Sequence, residues 1–120
     1  MRKTSFSGSF YESSPVALDS QIKECFLSKL GPGEFPGQPK DAVIKAIIAP
    51  HAGYYFSGAC AAHAYKELAE AKMPDLFIIM GPNHSSSKSG ISTETIETPF
   101  GLLRADQDFA RALKEKGHIG

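Results

Sequence analysis

Two short apolar runs each lead into a proline and then a histidine: Ile47-Ile48-Ala49-Pro50-His51 and Ile78-Ile79-Met80-Gly81-Pro82-Asn83-His84. Imidazole is the commonest metal-ligating side chain, so a matched pair of such histidines points first to metal chemistry. Each proline lacks an N–H and stops a strand ladder, which places each histidine at or just past the carboxyl end of its strand. In open α/β sheets that edge is where ligands bind. The residues between the two histidines read as a helix, and strand–helix–strand is the crossover unit that joins parallel strands. Parallel neighbours lie about 4.8 Å apart, so one imidazole from each strand end reaches a common metal ion at about 2.0–2.1 Å. The expectation is that His51 and His84 are metal ligands with imidazoles within about 6 Å of each other. Two unrelated loop histidines are the alternative, and their matched placement argues against it.

The residues around each histidine suit a small polar or aromatic ligand. His51-Ala52-Gly53-Tyr54-Tyr55-Phe56-Ser57-Gly58 puts a glycine two residues after the histidine, where a tight turn clears room, and then delivers aromatics. Tyr54 is assigned to substrate binding, and Phe56 to packing against the sheet edge. Gly81-Pro82-Asn83-His84-Ser85-Ser86-Ser87 surrounds its histidine with amide and hydroxyl groups, of which Asn83 is assigned to hold a polar substrate or orient the ligand. No residue is singled out as catalytic. Neither G-x-G-x-x-G nor the Walker pattern occurs, which disfavours a nucleotide site. No G-x-S-x-G elbow accompanies the serines, which disfavours hydrolase chemistry. His63, within a predicted helix, and His118, near the chain end, stay outside the ligand set.

The elements that must position these residues follow from cap and breaker signals. Ser14-Pro15 starts a helix expected to run to Leu30, where Gly31 ends it. Residues 31–41 are too rich in Gly and Pro for regular structure and form a loop. Ala42 to Ala49 reads as the first core strand and Leu76 to Met80 as the second, both covered on two faces. Between them Ser57 is expected to cap a helix from Gly58 to Lys72. Its small residues Gly58, Ala59, Cys60, Ala61 and Ala62 allow close approach to a sheet, with Tyr65, Leu68 and Ala69 further along the buried stripe. Residues 90–104 alternate and suggest an extended segment or hairpin turning at Thr98-Pro99-Phe100-Gly101. Asp106 is expected to cap a last helix, Gln107 to Lys116. A further strand is due at His118-Ile119-Gly120. The fold class is therefore α/β, a strand–helix–strand crossover core of a larger, mostly parallel sheet flanked by helices, with residues 1–120 forming one partial α/β domain.

The chain of 120 residues is 42% apolar and 22% charged, as ordinary globular chains are, with Lys+Arg and Asp+Glu both at 13. That balance gives no basic field to attract nucleic acid. No apolar run approaches a membrane span, and the N-terminus lacks the apolar core of a signal peptide. Two cysteines, Cys25 and Cys60, fall in predicted helices and read as reduced, buried residues of a cytoplasmic protein.

The two histidine segments, together with Ser57-Gly58-Ala59-Cys60-Ala61-Ala62-His63-Ala64-Tyr65, resemble the Memo family. Ser7-Gly8-Ser9-Phe10-Tyr11 is similar to that family's opening motif, and Thr98-Pro99-Phe100-Gly101 to its mid-chain turn, so the resemblance runs along essentially the whole chain in order. It implies a fold like that of the class III extradiol dioxygenases, which open catechol rings with non-haem iron(II) held by two histidines and a carboxylate. His51 and His84 occupy the two histidine positions. The family's chains are more than twice this long, and the segments supplying a further histidine and the third metal-site residue have no counterpart here. The resemblance therefore implies the N-terminal half of a Memo-like domain, with the remainder of that chain as its partner. The implied cofactor is a divalent metal, iron(II) first, with copper or zinc where the third ligand is softer. The implied function is a dioxygenase-like reaction on a small aromatic substrate, the alternative being a non-catalytic signalling module that binds a phosphopeptide or protein in the same cleft. Should the third ligand lie within this chain, Glu94 and Glu97 are the first candidates.

Overall fold

The computed structural model describes residues 1–117; the strand expected at His118-Ile119-Gly120 lies outside the described residues. Among the described residues the architecture is mixed helix and strand, with three helices and a small antiparallel sheet. Phe6–Leu76 forms one compact unit, and Met1–Ser5 with the chain from Phe77 onward forms another.

The first unit is a helix pair. α1 spans Pro15–Leu27; the Ser14 hydroxyl accepts from Ala17 N at 3.1 Å, and Pro15 sits where a missing N–H costs nothing. It stops three residues before the expected Leu30, because the Ser28 amide closes the last turn on the Glu24 carbonyl and Gly31 N then donates to Ser28 O. α2 spans Tyr54–Glu70 and starts ahead of the expected Gly58. Its N-cap is Gly53, and the Tyr54 amide is satisfied by the Phe10 carbonyl at 2.7 Å, so Ser57 is not needed as a cap. The Ser57 hydroxyl instead donates to Ala52 O at 3.2 Å.

The small-residue surface of α2 serves helix–helix contact. A Cβ on Gly58 would overlap Cys25 Sγ of α1, and one on Gly31 would overlap the Cys25 carbonyl. Leu18 and Ala62 are each 3% exposed. Leu68 is half-buried, whereas Tyr65 and Ala69 are exposed, so the buried stripe of α2 is narrower than its apolar pattern suggests. Cys60 is exposed as well, which corrects its reading as a buried hydrophobe.

In the second unit β1 (Ile96–Thr98) pairs antiparallel with β2 (Gly101–Leu103) in the register Ile96 to Leu103 and Thr98 to Gly101. The Thr98 hydroxyl donates to Gly101 O at 2.8 Å, and Gly101 takes a φ of 128°, which only glycine adopts without strain. Arg2 bridges Ile96 on the other side. α3 spans Gln107–Gly117, and the Asp106 carboxylate accepts from Phe109 N at 2.8 Å, the expected cap.

Neither 42–49 nor 76–80, the segments expected to be core strands, belongs to a ladder among the described residues, and the sheet described there is the antiparallel pair of β1 and β2. The physical reason is cover. Strands of a parallel core gain from pairing when both faces are buried, yet Ile48 is 97% and Met80 90% exposed.

Candidate functional site

His51 lies in the unit of α1 and α2, and His84 in the unit of the hairpin. His51 is exposed, three residues ahead of α2. The turn behind it is tightly specified. Gly53 is buried, and a Cβ there would come within 3.3 Å of Phe10 O, so this glycine clears room for the backbone of the Ser7–Tyr11 segment rather than for a ligand. That segment is itself shaped by Gly8 at a φ of 83° and by the Phe10 amide donating to Phe6 O at 2.9 Å. Two motifs separated by some forty residues thus meet through backbone at the entrance to α2.

Tyr54, the first residue of α2, packs its ring against Tyr11 with centroids 5.6 Å apart. Burial, followed by the neighbouring Tyr65, Tyr11 and Cys25, pushes its hydroxyl pKa upward. It lines a groove between α1 and α2 with Gln21, Glu24, Cys25 and Tyr55. The Cys25 thiol in that groove is also pushed up, first by burial and then by Glu24, which keeps it protonated. Phe56 is 83% exposed and meets Tyr55 edge-on at 5.2 Å, so it does not take the packed position expected of it.

His84 is exposed in the irregular segment after Met80. The Asn83 side chain beside it organises that loop: its oxygen accepts from Ser85 N at 3.0 Å and Ser86 N at 3.1 Å, and its amide donates to Lys88 O at 2.9 Å. Glu94 pairs with the N-terminal ammonium at 3.1 Å. Among the described residues, no three His, Cys, Asp or Glu side chains cluster so as to hold a metal ion. His51 and His84 each present an imidazole, a ligand type suited to divalent transition metals. His63 Nε2 lies 3.1 Å from the Leu30 carbonyl oxygen and ties α2 to the loop after α1, a packing role. His118 lies outside the described residues.

Sequence reasoning missed the most developed electrostatic feature. Glu70, 2% exposed at the end of α2, meets Lys40 Nζ and Lys66 Nζ and accepts from Gly37 N at 2.9 Å. Hydrogen bonds from Lys40, then Lys66, then Gly37 lower its pKa to about 2. The i,i+4 spacing of Lys66 and Glu70 was visible in the sequence; the thirty-residue reach to Lys40 was not.

No helix among the described residues is long and apolar enough to cross a membrane. Comparison with known proteins places the chain in a family. Residues 2–119 match the family model described as Memo-like protein. A MEMO1 family protein of Methanothermobacter thermautotrophicus is 42% identical over 99% of this chain and 44% of its own length. One of Methanopyrus kandleri is 42% identical over 96% of this chain and 42% of its own, and one of Saccharolobus solfataricus is 37% identical over 98% and 47%. The chain thus spans less than half the length of these curated relatives. With the match running from Arg2 through both histidine segments to residue 119, the chain belongs to the Memo-like family.

Proposed function

We propose that this chain supplies the two-histidine part of a metal-binding cleft in a Memo-like, extradiol-dioxygenase-like domain. His51 and His84 hold the metal, iron(II) by preference and copper or zinc with a softer third ligand. Residues 42–49 and 76–80 pair as parallel neighbours where the rest of that domain covers their faces. The observation that carries this reading is the repeated apolar run leading into proline and histidine within a match that extends over residues 2–119. The uncovered Ile48, Ile79 and Met80, at 97%, 85% and 90% exposure, support the completion of the core by further chain.

When bound, the metal supplies Lewis-acid and oxygen-binding capacity for ring opening of a small aromatic substrate. The chain's own residues hold and orient. Gly53 and Phe10 fix the turn after His51, Asn83 fixes the loop around His84, and Tyr54 presents a protonated phenol able to donate a hydrogen bond. The test is titration of the intact protein with iron(II), zinc(II) and copper(I), followed by oxygen uptake with a panel of catechols. His51→Ala and His84→Ala should each lower metal affinity at least tenfold. Metal binding without oxygen uptake, accompanied by binding of a phosphopeptide, would assign the cleft to recognition instead. Wild-type metal affinity in both variants would remove the two histidines from the site.

A further inference from the structure

α1 presents Gln21, Glu24, Cys25 and Ser28 at the i, i+3, i+4 and i+7 spacing that puts side chains on one helix face. Across from them stand Tyr54, Tyr55 and Ala59 of α2, and the two sets wall a groove of about 260 Å³. Two residues of α2 shape it: Gly58, whose missing side chain leaves room for Cys25 Sγ, and Tyr54, whose ring rests on Tyr11. Two of the polar walls are fixed before any ligand arrives. The Gln21 side-chain oxygen accepts from Glu12 N at 2.9 Å, and the Ser28 hydroxyl oxygen accepts from Leu30 N at 3.1 Å. Side chains already held lose little freedom on binding.

Charge decides what the groove can take. The Glu24 carboxylate supplies the charge, and its field reaches the Cys25 thiol, which burial and then Glu24 push upward. Among the described residues no lysine or arginine lines the groove, and Lys23, the nearest in sequence, pairs with Asp19 at 2.6 Å. An anion placed here would face the carboxylate. A neutral molecule would strip it of water without compensation. A cation offsets that desolvation and gains from the bordering tyrosine rings, whose faces attract positive charge. A bare metal ion needs several donors, and no three His, Cys, Asp or Glu side chains cluster to hold one among the described residues. An organic ammonium ion meets the conditions that the others fail.

We propose that the groove between α1 and α2 binds a small organic ammonium ion, with Glu24 as its counter-ion and Tyr54 and Tyr55 as its aromatic walls. The site lies within the unit Phe6–Leu76 and does not depend on the metal-cleft reading. Tyr55 is 89% exposed, so the bound ion keeps one side in solvent and exchanges quickly. The ion pair contributes less as salt is raised, because exposed charges are screened.

The test is an NMR titration of the full chain with tetramethylammonium chloride at constant ionic strength, beside tert-butyl alcohol, a neutral molecule of similar shape. Wild type should give saturable shifts of the Gln21, Cys25, Ser28 and Tyr55 amides, with nuclear Overhauser contacts from the ligand methyls to the Tyr54 and Tyr55 rings. The alcohol should bind about tenfold more weakly. Glu24→Gln should weaken ammonium binding about fivefold and leave binding of the alcohol unchanged, a pattern that loss of the fold would not produce. Tyr55→Ala, at a position too exposed to matter for folding, should weaken it about threefold. Equal affinity of wild type for the two molecules would overturn the proposal, as would undiminished ammonium binding by Glu24→Gln. Shifts that never saturate, or that spread over carboxylates elsewhere on the chain, would reduce the effect to nonspecific ion binding and overturn it equally.

Discussion

His51 and His84 follow similar apolar–proline lead-ins, yet the chain holds them by different means. After His51 the backbone turns at Gly53 against Phe10 and enters the 17 residues of α2, whose far end holds Gly37 and Lys40 through Glu70. After His84 it enters a serine-rich loop in which Asn83 bonds to Ser85, Ser86 and Lys88 and the Ser86 hydroxyl accepts from Lys88 N at 3.1 Å. The turn after the first histidine is made by contacts across more than forty residues of sequence, whereas the loop around the second carries the local bonds of Asn83 and Ser86. Similar motifs therefore do not imply similar rigidity.

The sharpest challenge to this contrast is Leu18→Ala. Leu18 is the one large apolar side chain buried among the described residues, and its loss should cost about 2–5 kcal/mol. Chemical denaturation should show the midpoint falling, and His51 should lose its order with the helix pair. Ala62→Leu, which forces extra methylenes into the position 3% exposed on α2, should cost about 1–3 kcal/mol by overpacking. An unchanged melting temperature would mean that this face has room to spare. Asp106→Ala removes the oxygen that receives the Phe109 amide and should cost about 0.5–2 kcal/mol. Its effect should appear as fraying of the first turn of α3, read by amide exchange. Asn83→Ala should have the smallest effect, within about 0.5 kcal/mol of wild type, as exposed surface changes do. The Ser85 and Ser86 amides should nonetheless exchange faster. A large drop in melting temperature from Asn83→Ala would erase the distinction between the two histidine segments.

Much of the local structure was legible in the sequence because local chemistry decides it. Ser14-Pro15 and Asp106 cap their helices as read, and Thr98 to Gly101 makes the expected turn. Ser57 was misread because a backbone carbonyl from Phe10, more than forty residues away, replaced the side-chain cap that the sequence would otherwise need. Gly53 was read as space for a ligand and is space for that same backbone. The strands at 42–49 and 76–80 were read from apolar content. A ladder, however, also needs covered faces, which apolar content demands but does not provide. Of the candidate site, the residue types and their motifs were visible. The clamp at Glu70 was not, since it depends on which lysine a loop returns to the end of a helix.

The fit of Cys25 against Gly58 makes the chain sensitive to thiol chemistry at one place. Cys60 is exposed and should be alkylated readily, whereas Cys25 is half-buried, held protonated and wedged where α2 has no side chain. An adduct on Cys25 would have to fit the groove that the sulfur lines with Gln21, Glu24, Tyr54 and Tyr55, or part the helices. Labelling of Cys25 relative to Cys60 therefore reports how freely that groove opens.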